Sequence, residues 1–193
     1  EQHRYGVFEL AARKRGDIGY LSDIARPIMA ILTGIASAHL ETFGSEEIIF
    51  ETKTEILRGM NAGAPVIYWA EDPWLVRMPG KWPGFSYKTF GFGSTADVRA
   101  EILDRSPEGI KISMTYQGRP LGEMRLPFLG LGPVRSALAA AAAGLTLEIP
   151  AKKIFQALSA FEPGAMRGEK LALGGERFKG QCFAINDAYN ANP

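Results

Sequence analysis

Over the first 70 residues, short apolar runs alternate with segments of helical period, and this alternation restricts the fold more than any other feature of the chain. Residues 5–10 form an apolar run carrying a carboxylate, Glu9, near its end. That is the pattern of a buried parallel strand delivering an acid to the C-terminal edge of a sheet. Residues 17–25 place Ile18, Leu21 and Ile24–Ala25 on one helical face, and Pro27 ends the helix. Residues 27–33 read as a second buried strand. Ser45 is placed to cap a helix running to Arg58, with Glu47 and Ile48–Ile49 after its start and Gly59 at its end. Residues 64–70 are a third apolar strand. The rhythm predicts an α/β fold with a mostly parallel sheet flanked by helices.

Beyond residue 85 the character changes. Residues 86–92, 96–103, 109–116 and 121–128 are β-like runs separated by turn residues, with a hairpin connection expected at Gln117-Gly118-Arg119-Pro120. This predicts an antiparallel β appendage over 86–128 within a single domain spanning 1–193. Residues 137–143 are alanine apart from Leu138, a smooth helix able to pack closely on a sheet. A shorter helix is expected over 149–160. Residues 170–175 and 181–187 read as a strand pair around a glycine-rich turn.

Bulk properties exclude several classes of function. The formal net charge is +1, so no broad basic field argues for nucleic acid or an anionic membrane surface. Cys182 is the only cysteine, which rules out an internal disulfide or a cysteine-based zinc site and fits a reducing compartment. The longest apolar stretch, residues 137–145, is far short of the roughly 20 residues that a membrane-spanning helix needs.

Chemistry-bearing residues gather where strands are predicted to end. Glu9, His39 and Lys53 each fall near the C-terminal end of a predicted strand or the start of the next helix, and open α/β sheets bind ligands along that edge. A carboxylate and an imidazole can share a divalent cation, and oxygen ligands suit magnesium. The same residues have plainer readings. A glutamate at a strand end serves as a cap or an ion-pair partner, a lone histidine as a satisfied structural residue, and Lys53 as a solvated helix lysine. The terminal Asp187-Ala188-Tyr189-Asn190-Ala191-Asn192-Pro193 offers an aspartate at a strand end followed by two amides, suited to ribose and phosphates, or else an Asn/Pro turn. Arg167-Gly168 precedes that strand, and an arginine there can clamp phosphate through two parallel hydrogen bonds.

Taken in order, five elements resemble the central domain of the Mur ligases. They are Glu9-Leu10 after its apolar run; Ala38-His39-Leu40-Glu41; Lys53-Thr54-Glu55-Ile56; Thr89-Phe90-Gly91 with Ala96-Asp97-Val98-Arg99-Ala100; and the Asp187–Pro193 ending. The likeness is strongest to the branch that adds D-alanyl-D-alanine, and it covers nearly the whole chain. It implies a P-loop NTPase-like α/β domain of an ATP-dependent amide ligase in bacterial peptidoglycan precursor synthesis. The implied location is the cytoplasm, the cofactors are ATP and Mg²⁺, and the substrates are UDP-N-acetylmuramoyl-tripeptide and D-alanyl-D-alanine. Glu9 and His39 would serve a magnesium ion, and Lys53 would be carbamylated into an anionic metal ligand. Arg167, Asp187, Asn190 and Asn192 would lie beside the nucleotide.

No G-x-x-x-x-G-K-S/T phosphate loop occurs in the 193 residues. Together with the strand-like start, this leads us to expect a domain fragment without its phosphate-loop segment or its N- and C-terminal domains, inactive alone. Several positions depart from the family pattern. Thr33-Gly34-Ile35 stands for Thr-Asn-Ile, Trp69-Ala70-Glu71-Asp72-Pro73 for Asn-Ala-Asp-Asp-Pro, and Leu129-Gly130-Leu131-Gly132-Pro133 for Pro-Gly-Arg-His-Asn. Arg13-Lys14-Arg15 adds positive charge where the family is neutral. These departures support one rival, a diverged paralogue that binds nucleotide or a partner without ligase activity; a second rival is a folylpolyglutamate synthase-like ligase, against which the Tyr189-Asn190-Ala191-Asn192-Pro193 ending speaks.

Overall fold

A computed structural model describes residues 3–35, 43–162, 164–173 and 182–188. The chain divides into two compact units, Glu1–Thr89 and Phe90–Pro193.

The first unit contains helix α1 (Asp17–Ala25), strand β1 (Ala30–Leu32), helix α2 (Glu46–Thr54) and strand β2 (Pro65–Trp69). A short helix α3 (Met78–Lys81) and strand β3 (Ser86–Gly91) follow. β1 and β2 pair in parallel, Ala30 opposite Val66 and Leu32 opposite Tyr68. Every interior residue of β2 is buried, as a parallel strand covered on both faces requires. The core gathers Leu32, Phe50, Leu57, Val66, Leu75 and Met78. Each fully buried aliphatic side chain of this kind contributes about 1.5–3 kcal/mol.

Ser45 caps α2 as its sequence predicts, its Oγ accepting from the Ile48 amide at 3.3 Å. The helix then tightens into a 3₁₀ turn over Glu55–Gly59. This turn meets α1 closely, and a Cβ on Gly59 would stand 2.3 Å from the Ser22 carbonyl oxygen. The buried face of α1 is therefore Ile18, Gly19 and Ser22. It is not the Ile18, Leu21, Ile24 stripe expected from the apolar pattern, for Ile24 is 65% exposed. Small residues won this face because the neighbouring backbone comes too near for large ones.

The expected first strand is a second correction. Residues 5–10 are extended but belong to no strand, and Val7 is 95% exposed. β1 stands at the end of the sheet order with β2 as its neighbour, and an apolar run without a ladder partner does not make a strand.

In the second unit, β4 (Val98–Ser106), β5 (Gly109–Tyr116) and β6 (Arg119–Leu126) form an antiparallel meander. Gln117 and Gly118, at φ 49° and 76°, make the two-residue turn between β5 and β6. Two positive φ values in succession match the right-handed strand twist. Alternate residues Ile110, Ile112 and Met114 are buried. Helix α4 (Leu131–Thr146) packs on β4, and α5 (Ala151–Ser159) on β6. Ala137, Ala141 and Ala142 lie in the buried face of α4. β7 (Glu169–Leu173) and β8 (Cys182–Asn186) pair antiparallel.

One pairing departs from the antiparallel arrangement expected across 86–128. The end of β3 meets β4 in parallel, Phe90 opposite Val98 and Gly91 opposite Arg99. Parallel neighbours normally need a long crossover. Here the overlap is so short that the chain has only to double back past the end of β3.

Candidate functional site

Lys53 sits in the last turn of α2, half-buried, and its Nζ donates to the Gly34 carbonyl at 2.9 Å. Gly34 lies two residues past the end of β1, so the lysine, from the last turn of its helix, reaches the C-terminal edge of the parallel pair. Burial pushes the Lys53 ammonium below its ordinary 10.5, and the negative charge of Asp72 partly restores it. A partly desolvated amine of this kind is disposed to the neutral form that carbamylation needs.

Asp72 is a second charged group at this edge, and it is 1% exposed. Its Oδ1 accepts from the amides of Trp74 and Leu75, each at 2.9 Å, closing the turn that leads into the short 3₁₀ helix Leu75–Arg77 in the manner of a cap. Its Oδ2 accepts from the Ile35 amide at 2.7 Å. One carboxylate thus ties the loop after β1 to the turn after β2. The Asp-Pro-Trp-Leu spelling signals the cap in the sequence, whereas the bond to Ile35 carries no local signal.

Glu55, in the same motif as Lys53, is 5% exposed and turned toward α1. It accepts from the Gly16 amide at 2.9 and 3.0 Å and from the Gly19 amide at 3.1 Å. A buried carboxylate at a helix start meets unpaired N–H groups and the positive end of the helix dipole. The Lys-x-Glu-Ile element therefore carries a structural anchor beside its candidate site lysine, a role that the sequence reading missed.

The basic stretch is absorbed locally. Arg15 pairs with Glu51 of α2, which also takes Lys81 Nζ at 3.1 Å. The amides of Arg13 and Lys14 donate to Asp17 Oδ2 at 2.9 and 3.0 Å. These contacts hold the Glu51 and Asp17 carboxyls below their usual range, the first chiefly through Lys81, the second chiefly through the Arg13 amide.

The remaining expected residues divide by placement. Glu9 is exposed in the unpaired segment. His39, Asn190 and Asn192 lie outside the described residues. In the second unit Arg167 precedes β7 and Asp187 follows β8, both exposed. Because Glu169 pairs with Asn186, these two residues share one end of the β7–β8 ribbon. Among the described residues no group of three His, Cys, Asp or Glu side chains is arranged to hold a metal, and no helix is long and apolar enough to cross a membrane.

The comparison with known proteins agrees with this geometry. The family model described as the Mur ligase middle domain matches residues 1–144. The UDP-N-acetylmuramoyl-tripeptide–D-alanyl-D-alanine ligase of Bacillus subtilis is 31% identical over 100% of this chain and 40% of its own length. The ligase of the same name from Mycobacterium tuberculosis is 30% identical over 98% of this chain and 36% of its own. The chain thus spans well under half the length of these relatives. Among solved structures, MurF from Acinetobacter baumannii superposes with a TM-score of 0.85 at 28% identity, covering 99% of this chain and 40% of that one. MurF from Thermotoga maritima in complex with ADP shares the fold with a TM-score of 0.79 at 24% identity, covering 94% of this chain and 40% of that one. With the family model matching residues 1–144 of its 193, the chain belongs to the Mur ligase family, as a middle domain.

Proposed function

We propose that this chain is the middle domain of a cytoplasmic, ATP-dependent ligase that joins D-alanyl-D-alanine to UDP-N-acetylmuramoyl-tripeptide. The observation that carries the reading is the end-to-end match to ligases of that name. The half-buried Lys53 at the edge of the parallel pair supports it, since this is the residue that the resemblance assigns to carbamylation. That reading also favours the ligase over a paralogue without activity.

The lysine's surroundings fit a metal-binding role. Carbamylation would turn Lys53 into an anion, and the buried Asp72 carboxylate already acts on that side chain. Two anions so placed call for a cation between or beside them. Three backbone donors take most of the acceptor capacity of Asp72 and hold it in place, which makes it the neighbour of such a cation rather than its main ligand. Carbamylated Lys53, His39 and Glu9 would hold magnesium, while Arg167, Asp187, Asn190 and Asn192 would hold the nucleotide. Bound magnesium would offset charge on the phosphate oxygens during phosphoryl transfer. The chain's own contribution is to position: Lys53 is fixed by Gly34, and the amide of Ile35 is fixed by Asp72.

In the amide-forming sequence implied, a substrate carboxylate oxygen attacks the γ-phosphorus of ATP and ADP leaves. The amine nitrogen of D-alanyl-D-alanine then attacks the acyl carbon, phosphate leaves, and the amine gives up a proton. The test is phosphate release by the full-length protein in the presence of both substrates. Release should require both, and Lys53→Ala should abolish it without loss of fold. Turnover of Lys53→Ala near the parent rate would show Lys53 to be only a helix lysine.

A further inference from the structure

The loop after β1 is held at two adjacent residues by two different parts of the chain. Gly34 gives its carbonyl to Lys53 Nζ at 2.9 Å, and Ile35 gives its amide to Asp72 Oδ2 at 2.7 Å. The carbonyl of Gly34 and the amide of Ile35 belong to one peptide unit, which is planar. Fixing the amide therefore fixes the direction of the carbonyl. The Trp69 ring confines the same place, since a Cβ on Gly34 would stand 3.6 Å from it and 3.5 Å from Asp72 Oδ2. The other oxygen of Asp72 is committed to Trp74 and Leu75, so the carboxylate itself cannot turn.

We propose that Asp72 is a positioning residue: it clamps the Gly34–Ile35 peptide plane so that its carbonyl holds Lys53 Nζ at the edge of the parallel strands. The proposal rests on the reading of Lys53 as a site residue. Asp72 touches no reacting atom in this account, and its effect passes through the peptide plane. The two oxygens have separable duties. Oδ1 caps the turn, a duty that asparagine and serine perform about as well. Oδ2 holds Ile35, a duty that asparagine meets only with a donor facing a donor and that serine is too short to meet.

The experiment compares Asp72→Asn, Asp72→Ser and Lys53→Ala in the full-length protein, with two readouts. Amide hydrogen exchange at Ile35, against Ile49 and Ile67 as internal references, reads the clamp without reference to activity. Steady-state ligation reads its consequence. Both Asp72 variants should speed exchange at Ile35 and leave the references unchanged. Their kcat should fall by about 100-fold, as misplacement of a reacting group by about 1 Å does, with KM for ATP within about twofold because nucleotide contacts are untouched. Serine guards against a folding defect peculiar to asparagine, since it keeps the cap and adds no misplaced donor. Unchanged exchange at Ile35 overturns the clamp. Faster exchange with near-parent kcat, alongside an inactive Lys53→Ala, overturns the positioning role alone. Near-parent kcat in all three variants removes the reading of Lys53 together with the proposal.

Discussion

Replacing Glu55 by glutamine changes one atom and tests what joins α1 to the rest of the first unit. The carboxylate is 5% exposed and serves two backbone donors, the exposed Gly16 at 2.9 and 3.0 Å and the buried Gly19 at 3.1 Å. A hydrogen bond to a charged group contributes about 1.5–3 kcal/mol, against about 0.5–1.5 kcal/mol for a neutral one. Glutamine can keep one oxygen within reach of both donors, as Oε2 is now at 3.0 and 3.1 Å, but its amide nitrogen then faces the Gly16 N–H; the loss of charge assistance at these two contacts alone is about 2 kcal/mol. Loss of the charge at the helix start adds about 0.3–1 kcal/mol. Alanine removes both acceptors and leaves the buried Gly19 donor unsatisfied, which alone costs about 1–3 kcal/mol, while the exposed Gly16 amide can turn to water.

Urea unfolding followed by tryptophan fluorescence is the assay, because Trp69, Trp74 and Trp82 all lie in the first unit. With a slope of about 2 kcal/mol per molar urea, Glu55→Gln should lower the midpoint by roughly 1.2–1.5 M. Glu55→Ala should lower it further. A midpoint for Glu55→Gln within about 0.2 M of the parent, at equal slope, would refute the claim that the negative charge holds this helix start.

Three further outcomes are expected. Burial disfavours the Lys53 ammonium, so that charge lowers stability below the folded pKa, and stability should rise as pH climbs from there toward 10.5; Lys53→Met should flatten this rise in alkaline unfolding curves. Gly109→Ala should cost more than about 3 kcal/mol in urea unfolding followed by far-ultraviolet circular dichroism, since its Cβ would stand 2.0 Å from the Leu126 carbonyl oxygen at a φ of 126°; a loss under about 1 kcal/mol would mean that the β5–β6 edge yields easily. Calorimetric titration of the 193-residue chain with ATP and magnesium should show no low-micromolar binding, because the sequence carries no G-x-x-x-x-G-K-S/T loop to supply the main phosphate donors.

Sequence periodicity located the elements and failed where backbone approach or pairing decided the outcome. Ser45, Gly59 and the β-branched run at Val66–Ile67 marked α2, its 3₁₀ end and β2, because caps and hydrophobic period are local properties. The buried face of α1 was illegible for the opposite reason. It is set by how near the 55–59 turn comes, and proximity is not written in the helix's own residues. Residues 5–10 have strand composition, yet composition does not supply a neighbour. At the site, Lys53 was visible through its motif, whereas the Asp72 tether to Ile35 spans two separate loops and has no local spelling.

That division follows from how a helix distributes its residues. Lys53 and Glu55 are two positions apart, which on a helix of about 3.6 residues per turn places them on nearly opposite sides. The lysine therefore reaches the end of β1 while the glutamate reaches the start of α1. The change to a 3₁₀ turn at Glu55 lets the carboxylate come under Gly16 and Gly19 without moving Lys53 from Gly34. A single turn of chain is thereby pinned from both sides, by α1 through Glu55 and by the β1 loop through Gly34, which Asp72 holds in turn. Long lysine side chains lose much rotamer freedom on being fixed, about 1.5–2 kcal/mol. A half-buried lysine kept at one carbonyl, against that entropy and against its own desolvation, needs a rigid backbone on both sides, and the two buried carboxylates provide it. Loosening either one should therefore be felt at Lys53 before it is felt in the fold of the second unit.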